Sequence, residues 1–220
     1  MRVWLFDTPA LLTIMATPRR MLSFYFSVAG SHEQGQIGIR KTPVTGNKIL
    51  INRAPVLTLW AAAVAERLGF NHHEALSLGK ALAGLNAQSK GRRLGIFKPT
   101  PKEIKKVREG ERGEEFWVDL LGRALPAVNT GQGVRAVVKS KPIEPEGVER
   151  YLESKFGDAL PKVRQAMTEL TKAFDTDELA QRGFGLYEQF RPQIPEGVGG
   201  WGAKGELDLG RVTKLALQTH

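Results

Sequence analysis

The sequence predicts a mainly α fold with a small antiparallel β insert: a helix-turn-helix-like pair, then a short β hairpin, then a C-terminal helical bundle. Three observations lead there. Apolar residues recur at spacings of three and four between 56 and 90 and again beyond 145. Capping boxes, Asn71 with Glu74 and Asp175 with Glu178, stand at the start of two such runs. Between them lies a stretch rich in valine and aromatics, interrupted by the turn residues Asn129 to Gly133.

Residues 1–45 differ from the rest, with short apolar bursts, the acids Asp7 and Glu33, and no helical stripe. A secretory or twin-arginine signal would need a longer apolar run after Arg20, and an acid-poor transit segment is a second option. The reading adopted is an extension ahead of the domain, with Met21 as an alternative start. The first helix is predicted from Val56 to Leu68, apolar on most sides and stopped by Gly69. The second is predicted to run from the Asn71 cap to Lys90, before Gly91, with Ala75, Leu78, Leu82 and Leu85 as its buried stripe. Its opposite face would carry His73, Ser77, Lys80, Gly84 and Gln88. Thr100, Pro101 and Glu103 then open a short basic helix that ends at Gly110.

Two or three antiparallel strands are expected between Phe116 and Lys139. Helices follow in 145–157, in 158–174 with Asp158 as cap, in 175–190 up to Arg191-Pro192, and, after a Gly/Pro loop, from about Asp208. The domain reading is 1–45 as extension, 46–142 as a basic helical unit with its hairpin, and 143–220 as the bundle.

The charge is unevenly placed. The chain carries a net +9 over 220 residues, and Leu76 to Arg108 holds nine basic residues against the single acid Glu103. Ile143 to Phe190 instead holds ten acidic and six basic residues. A basic concentration of this kind is the electrostatic footprint of a polyanion partner, although a solvated face would look the same. The helices around Gly69 resemble a helix-turn-helix in pattern, with Ala65 four residues before the glycine and Ala75 and Leu78 as anchors beyond it. Ala75 is smaller than the usual anchor, and the second helix is longer than a typical reading helix; an ordinary helical hairpin would satisfy the same pattern.

These features together make a nucleic acid the expected partner, DNA ahead of RNA, for a non-enzymatic, regulatory protein. The residues expected to touch it are His73, Ser77, Lys80, Gln88, Lys90, Arg92, Arg93, Lys98, Lys105, Lys106 and Arg135, the last on a hairpin that could act as a wing. The alternatives are an adaptor with an incidental basic face, or an enzyme whose site is spread through the sequence.

Other chemistries find little support. With no cysteine there is no disulfide framework, thiolate zinc site or cysteine nucleophile, and a cytoplasmic setting fits. Neighbouring His72 and His73 point about 100° apart on a helix, so no metal is expected there. "GVGGWG", Gly197 to Gly202, matches a dinucleotide fingerprint formally but lacks the strand before it and the helix after it. No cofactor and no membrane partner are expected.

Overall fold

Helix α1, Arg53–Arg67, is the centre of the protein, and its sequence explains why. From Pro55 to Ala65 every residue is buried, so this helix has no solvent face and needs none of the amphipathic alternation of a surface helix. The computed structural model describes residues 44–93, 115–198 and 202–218. All of them fall within the unit Arg40–His220. The protein is mainly α, with two small antiparallel sheets.

Helix α2, His72–Arg93, returns antiparallel to α1 after a turn in which Gly69 takes φ of +102°, a conformation that favours glycine. The capping box forms as expected: Asn71 Oδ1 accepts from the Glu74 N–H at 3.0 Å, and Glu74 Oε2 accepts from the Asn71 N–H at 2.9 Å. The two helices cross at Gly79. A Cβ placed there would lie 2.5 Å from the Thr58 carbonyl oxygen and 3.0 Å from the Ala62 nitrogen. The small residue at this crossing is Gly79.

The β insert is a four-stranded meander of β3, Phe116–Leu120; β4, Arg123–Thr130; β5, Gly133–Val138; and β6, Lys141–Pro142. Alternation sends Val118, Leu120, Leu125, Ala127 and Ala136 into the core. The β3–β4 turn places Leu121 at φ +50°, and its side chain fills the space left by Gly183. Strands β1, Val44–Thr45, and β2, Lys48–Asn52, belong to the second sheet, which is completed by β7, Lys204–Asp208, in the order β1-β2-β7. Sequence analysis missed β2 and β7, whose register runs from Lys48 opposite Asp208 to Asn52 opposite Lys204.

The remaining helices are α3, Pro145–Phe156; α4, Leu160–Lys172; α5, Thr176–Phe190; and α6, Leu209–Leu217. Asp175 caps α5 by accepting from the Glu178 N–H at 2.7 Å, and Asp208 caps α6 through the Gly210 N–H at 2.8 Å. Asp158 does not cap α4: it lies in a single 3₁₀ turn, Gly157–Ala159, which joins α3 to α4 without a side-chain cap. Helix α5 is tied to α1 by the Trp60 indole, which donates to the Gly183 carbonyl at 2.8 Å, and by the edge-on packing of Trp60 and Phe190 at 5.3 Å.

The buried cluster draws on 46–142 and 143–220 alike, with Trp60 and Leu78 beside Leu152, Met167 and Phe190. Among the described residues no helix is long and apolar enough to cross a membrane. The expected helix at 100–110 and the extension up to residue 43 lie outside the described residues.

The crossing can be tested directly. Gly79→Ala gains helix propensity, yet its methyl meets backbone atoms of α1, so the unfolding free energy should fall by about 1–3 kcal/mol. Gly84→Ala, where an added Cβ meets nothing within 4 Å, should instead gain about 0.5–1 kcal/mol. Denaturant midpoints of the two variants moving in the same direction would contradict the packing at the crossing.

Candidate nucleic-acid interface

Helix α2 carries most of the residues expected at the interface, and its two halves sit in different surroundings. Residues Ala75 to Gly79 and Ala81 to Ala83 are buried. Helix α2 is covered there on more than one side, by α1, by the edge of β5 and by α3. Glu74 Oε1 accepts from the Val134 N–H at 2.8 Å, and Ser77 Oγ accepts from the Ala136 N–H at 3.2 Å. These bonds satisfy the part of the β5 edge that β6 does not reach.

Three expected contacts are corrected by this packing. Ser77 is fully buried and spends its hydroxyl proton on the Glu74 carbonyl at 2.9 Å, so it has no donor left and no surface to offer a base edge. Lys80 lies 3.5 Å over the Tyr151 ring of α3, half-buried, and desolvation, with a smaller contribution from Lys155, lowers its pKa. Arg135 is only 3% exposed on the face of β5 opposite Ala136. One of its amino groups, Nη1, donates to the Val134 carbonyl at 3.0 Å, and the other, Nη2, has no partner.

Beyond Ala83 the helix emerges. Leu85, expected in the stripe, is exposed, and so are Gln88, Lys90, Arg92 and Arg93. The helix also passes through Gly91 instead of stopping before it, which puts both arginines on its last turn. Gln88 and Arg92 are four residues apart and share a face. Among the described residues, no carboxylate pairs with Lys90, Arg92 or Arg93. His73 is exposed too, but at fifteen residues from Gln88 it is roughly 22 Å away along the helix and belongs to a different surface. Lys98, Lys105 and Lys106 lie outside the described residues.

The surface at His73 is a shallow groove of about 250 Å³ between α2 and α3, with Glu146, Arg150 and Glu153 on its α3 side. Beside it, His72 Nδ1 is 2.6 Å from Glu66 Oε1, and Arg164 donates to Glu149 Oε1 at 2.7 Å and stands 3.2 Å from His72 Nε2. This network joins α1, α2, α3 and α4. Its mixed charge gives no anion site, and no group of three potential metal ligands occurs among the described residues.

One exposed side chain escaped sequence analysis. Trp117 on β3 is 60% exposed. The alternation in Phe116–Leu120 carried the signal, since it sets Trp117 beside Asp119 on the face away from Val118 and Leu120. No family model matches the chain, and neither a curated protein nor a solved structure proves similar to it.

Ser77→Ala should separate structure from recognition. It leaves the buried Ala136 N–H without an acceptor, so stability should fall by about 1–3 kcal/mol. Nucleic-acid affinity at a temperature where the variant is folded should stay at the wild-type level, and a selective loss of affinity would place Ser77 in the interface.

Proposed function

We propose that the protein binds nucleic acid, without chemistry of its own, by gripping phosphates with the emergent end of α2 and the basic segment that follows it in sequence. The observation that carries this reading is the change of character of α2 at Gly84. From Ala75 to Ala83 the helix is buried apart from half-buried Lys80; after Gly84 come exposed Gln88, Lys90, Arg92 and Arg93, with no acid paired to the three cations among the described residues. Basic residues in a last turn also complement the helix dipole, at about 0.3–1 kcal/mol each. That effect ends with the helix, whereas the sequence continues through Lys98, Lys102, Lys105, Lys106 and Arg108.

The helix-turn-helix pair acts in this reading as a scaffold. Its second helix has the early turns that such a motif would present occupied by β5 and α3, and the grip lies at the other end. Contacts of this kind supply affinity with little sequence preference. DNA is the first ligand to test and RNA the second.

Binding to a labelled oligonucleotide at several salt concentrations tests the reading. Affinity should fall as salt rises, with a log–log slope of about 0.9 per phosphate contact. Arg92→Ala with Arg93→Ala should reduce that slope by nearly two units and weaken binding by about 1 kcal/mol or more. Because both residues are exposed, each change should alter stability by no more than about 0.5 kcal/mol. A flat salt response, or no binding at about 50 mM salt, would overturn the proposal.

A further inference from the structure

Strand β3 ends the four-stranded sheet on one side, and its outer edge has no neighbouring strand. The two-residue turn at Leu121-Gly122 makes Leu120 and Arg123 a hydrogen-bonded pair, and alternation makes Val118–Leu125 and Phe116–Ala127 the next ones. Trp117 and Asp119 therefore direct their main-chain N–H and C=O groups away from β4. Pro126 stands opposite Trp117, where no N–H towards β3 is needed. The same alternation sends the Val134 and Ala136 N–H groups of β5 outward, and there Glu74 and Ser77 receive them. At β3 nothing among the described residues does this for the main chain of Trp117 or Asp119.

The side chains along this edge are the second observation. Trp117, 60% exposed, and exposed Asp119 share the outer face, while buried Val118 and Leu120 and half-buried Phe116 lie on the core face. Among the described residues no other ring packs on Trp117, and no basic group pairs with Asp119.

An open edge is a template for another strand, and register decides which strand fits. A second copy of β3 can pair with it antiparallel about Trp117, Val118 or Asp119. Pairing about Trp117 sets Glu115 opposite the other copy's Asp119, and pairing about Asp119 sets that carboxylate against its own twin. Like charges directly opposite are destabilising. Pairing about Val118 avoids both. It sets Trp117 opposite Asp119 on either side of the axis, each residue donating and accepting through its main chain, and sets Phe116 opposite Leu120 on the core face. The alternation thus favours a strand that carries an acid where β3 carries its tryptophan, and β3 is itself such a strand.

We infer that the protein associates with a second copy of itself through β3, as a two-fold dimer whose four-stranded sheets join edge to edge about Val118. The interface is isologous, each copy giving and receiving the same contacts. The Trp117 indole covers the junction with its ring and offers its N–H to the carboxylate of the other copy's Asp119. The inference stands apart from the nucleic-acid reading, since the emergent end of α2 takes no part in it.

Sedimentation equilibrium of the full chain without nucleic acid, over a range of concentrations, tests the pairing. The wild type should show a dimer share that rises with concentration. Trp117→Asp sets carboxylate against carboxylate and should raise the dimer dissociation constant about tenfold or more. Adding Asp119→Lys to that variant makes the facing pair opposite in charge and should restore the dimer. Asp119→Pro removes an N–H that β4 does not use, so this variant should melt close to the wild type yet stay monomeric. A wild type that remains monomeric up to about 1 mM sinks the inference, and so does a dimer that survives Trp117→Asp unchanged. A dimer lost in Trp117→Asp and not regained with Asp119→Lys is not built on this register, which defeats it likewise.

Discussion

A helix buried on every side can be accommodated only if each neighbour is cut to fit it, and α1 sets that requirement for the whole protein. Its residues from Pro55 to Ala65 are all inside. Helix α2 meets it through Gly79, where even a methyl group would collide with the Thr58 carbonyl. Helix α5 meets it through the Trp60 indole, whose N–H would be an unsatisfied buried donor without the Gly183 carbonyl. Gly183 answers a second demand at the same place, since its missing side chain makes room for Leu121 at the tip of the β3–β4 turn. Helix, helix and hairpin are thus held by two glycines and one indole.

How much of this was legible depended on the range of the interaction. Caps are local, and Asn71/Glu74 and Asp175/Glu178 could be read directly because their partners lie three residues away, whereas Asp158, read the same way, falls in a 3₁₀ turn and caps nothing. The opposite face of α2 could not. Ser77 and Lys80 are polar and spaced like a solvated face, but strand β5 and Tyr151 of α3 cover them, and nothing within the helix announces either neighbour. Strands β2 and β7 were lost for the same reason: each is five residues long, and each acquires its meaning from a partner about 150 positions away. Arg135 shows the limit most clearly, because a charge in a strand is ordinarily read as exposed, and here it is inside.

The candidate surface follows from the same geometry. Helix α2 exceeds the length that α1 can cover: α1 has fifteen residues and α2 twenty-two, and the surplus emerges with its basic residues uncovered. The buried half of α2 positions that end rigidly while contributing nothing to it directly. Side chains that were grouped in sequence as a single basic run are in this way divided between a structural task, for Lys80, and an exposed one, for Arg92 and Arg93.

Glu74 links these parts in a way with consequences for solubility. One carboxylate oxygen closes the capping box at the start of α2 and the other receives the Val134 N–H of β5. Fraying of the first turn of the helix would therefore release a strand margin as well, opening a row of backbone donors and acceptors to a second molecule. Such a margin is a template for strand addition between copies and so for aggregation. The cap of α2 thereby covers part of the β5 edge, and misassembly on destabilising this protein is expected to begin at that edge, beside the β4–β5 turn.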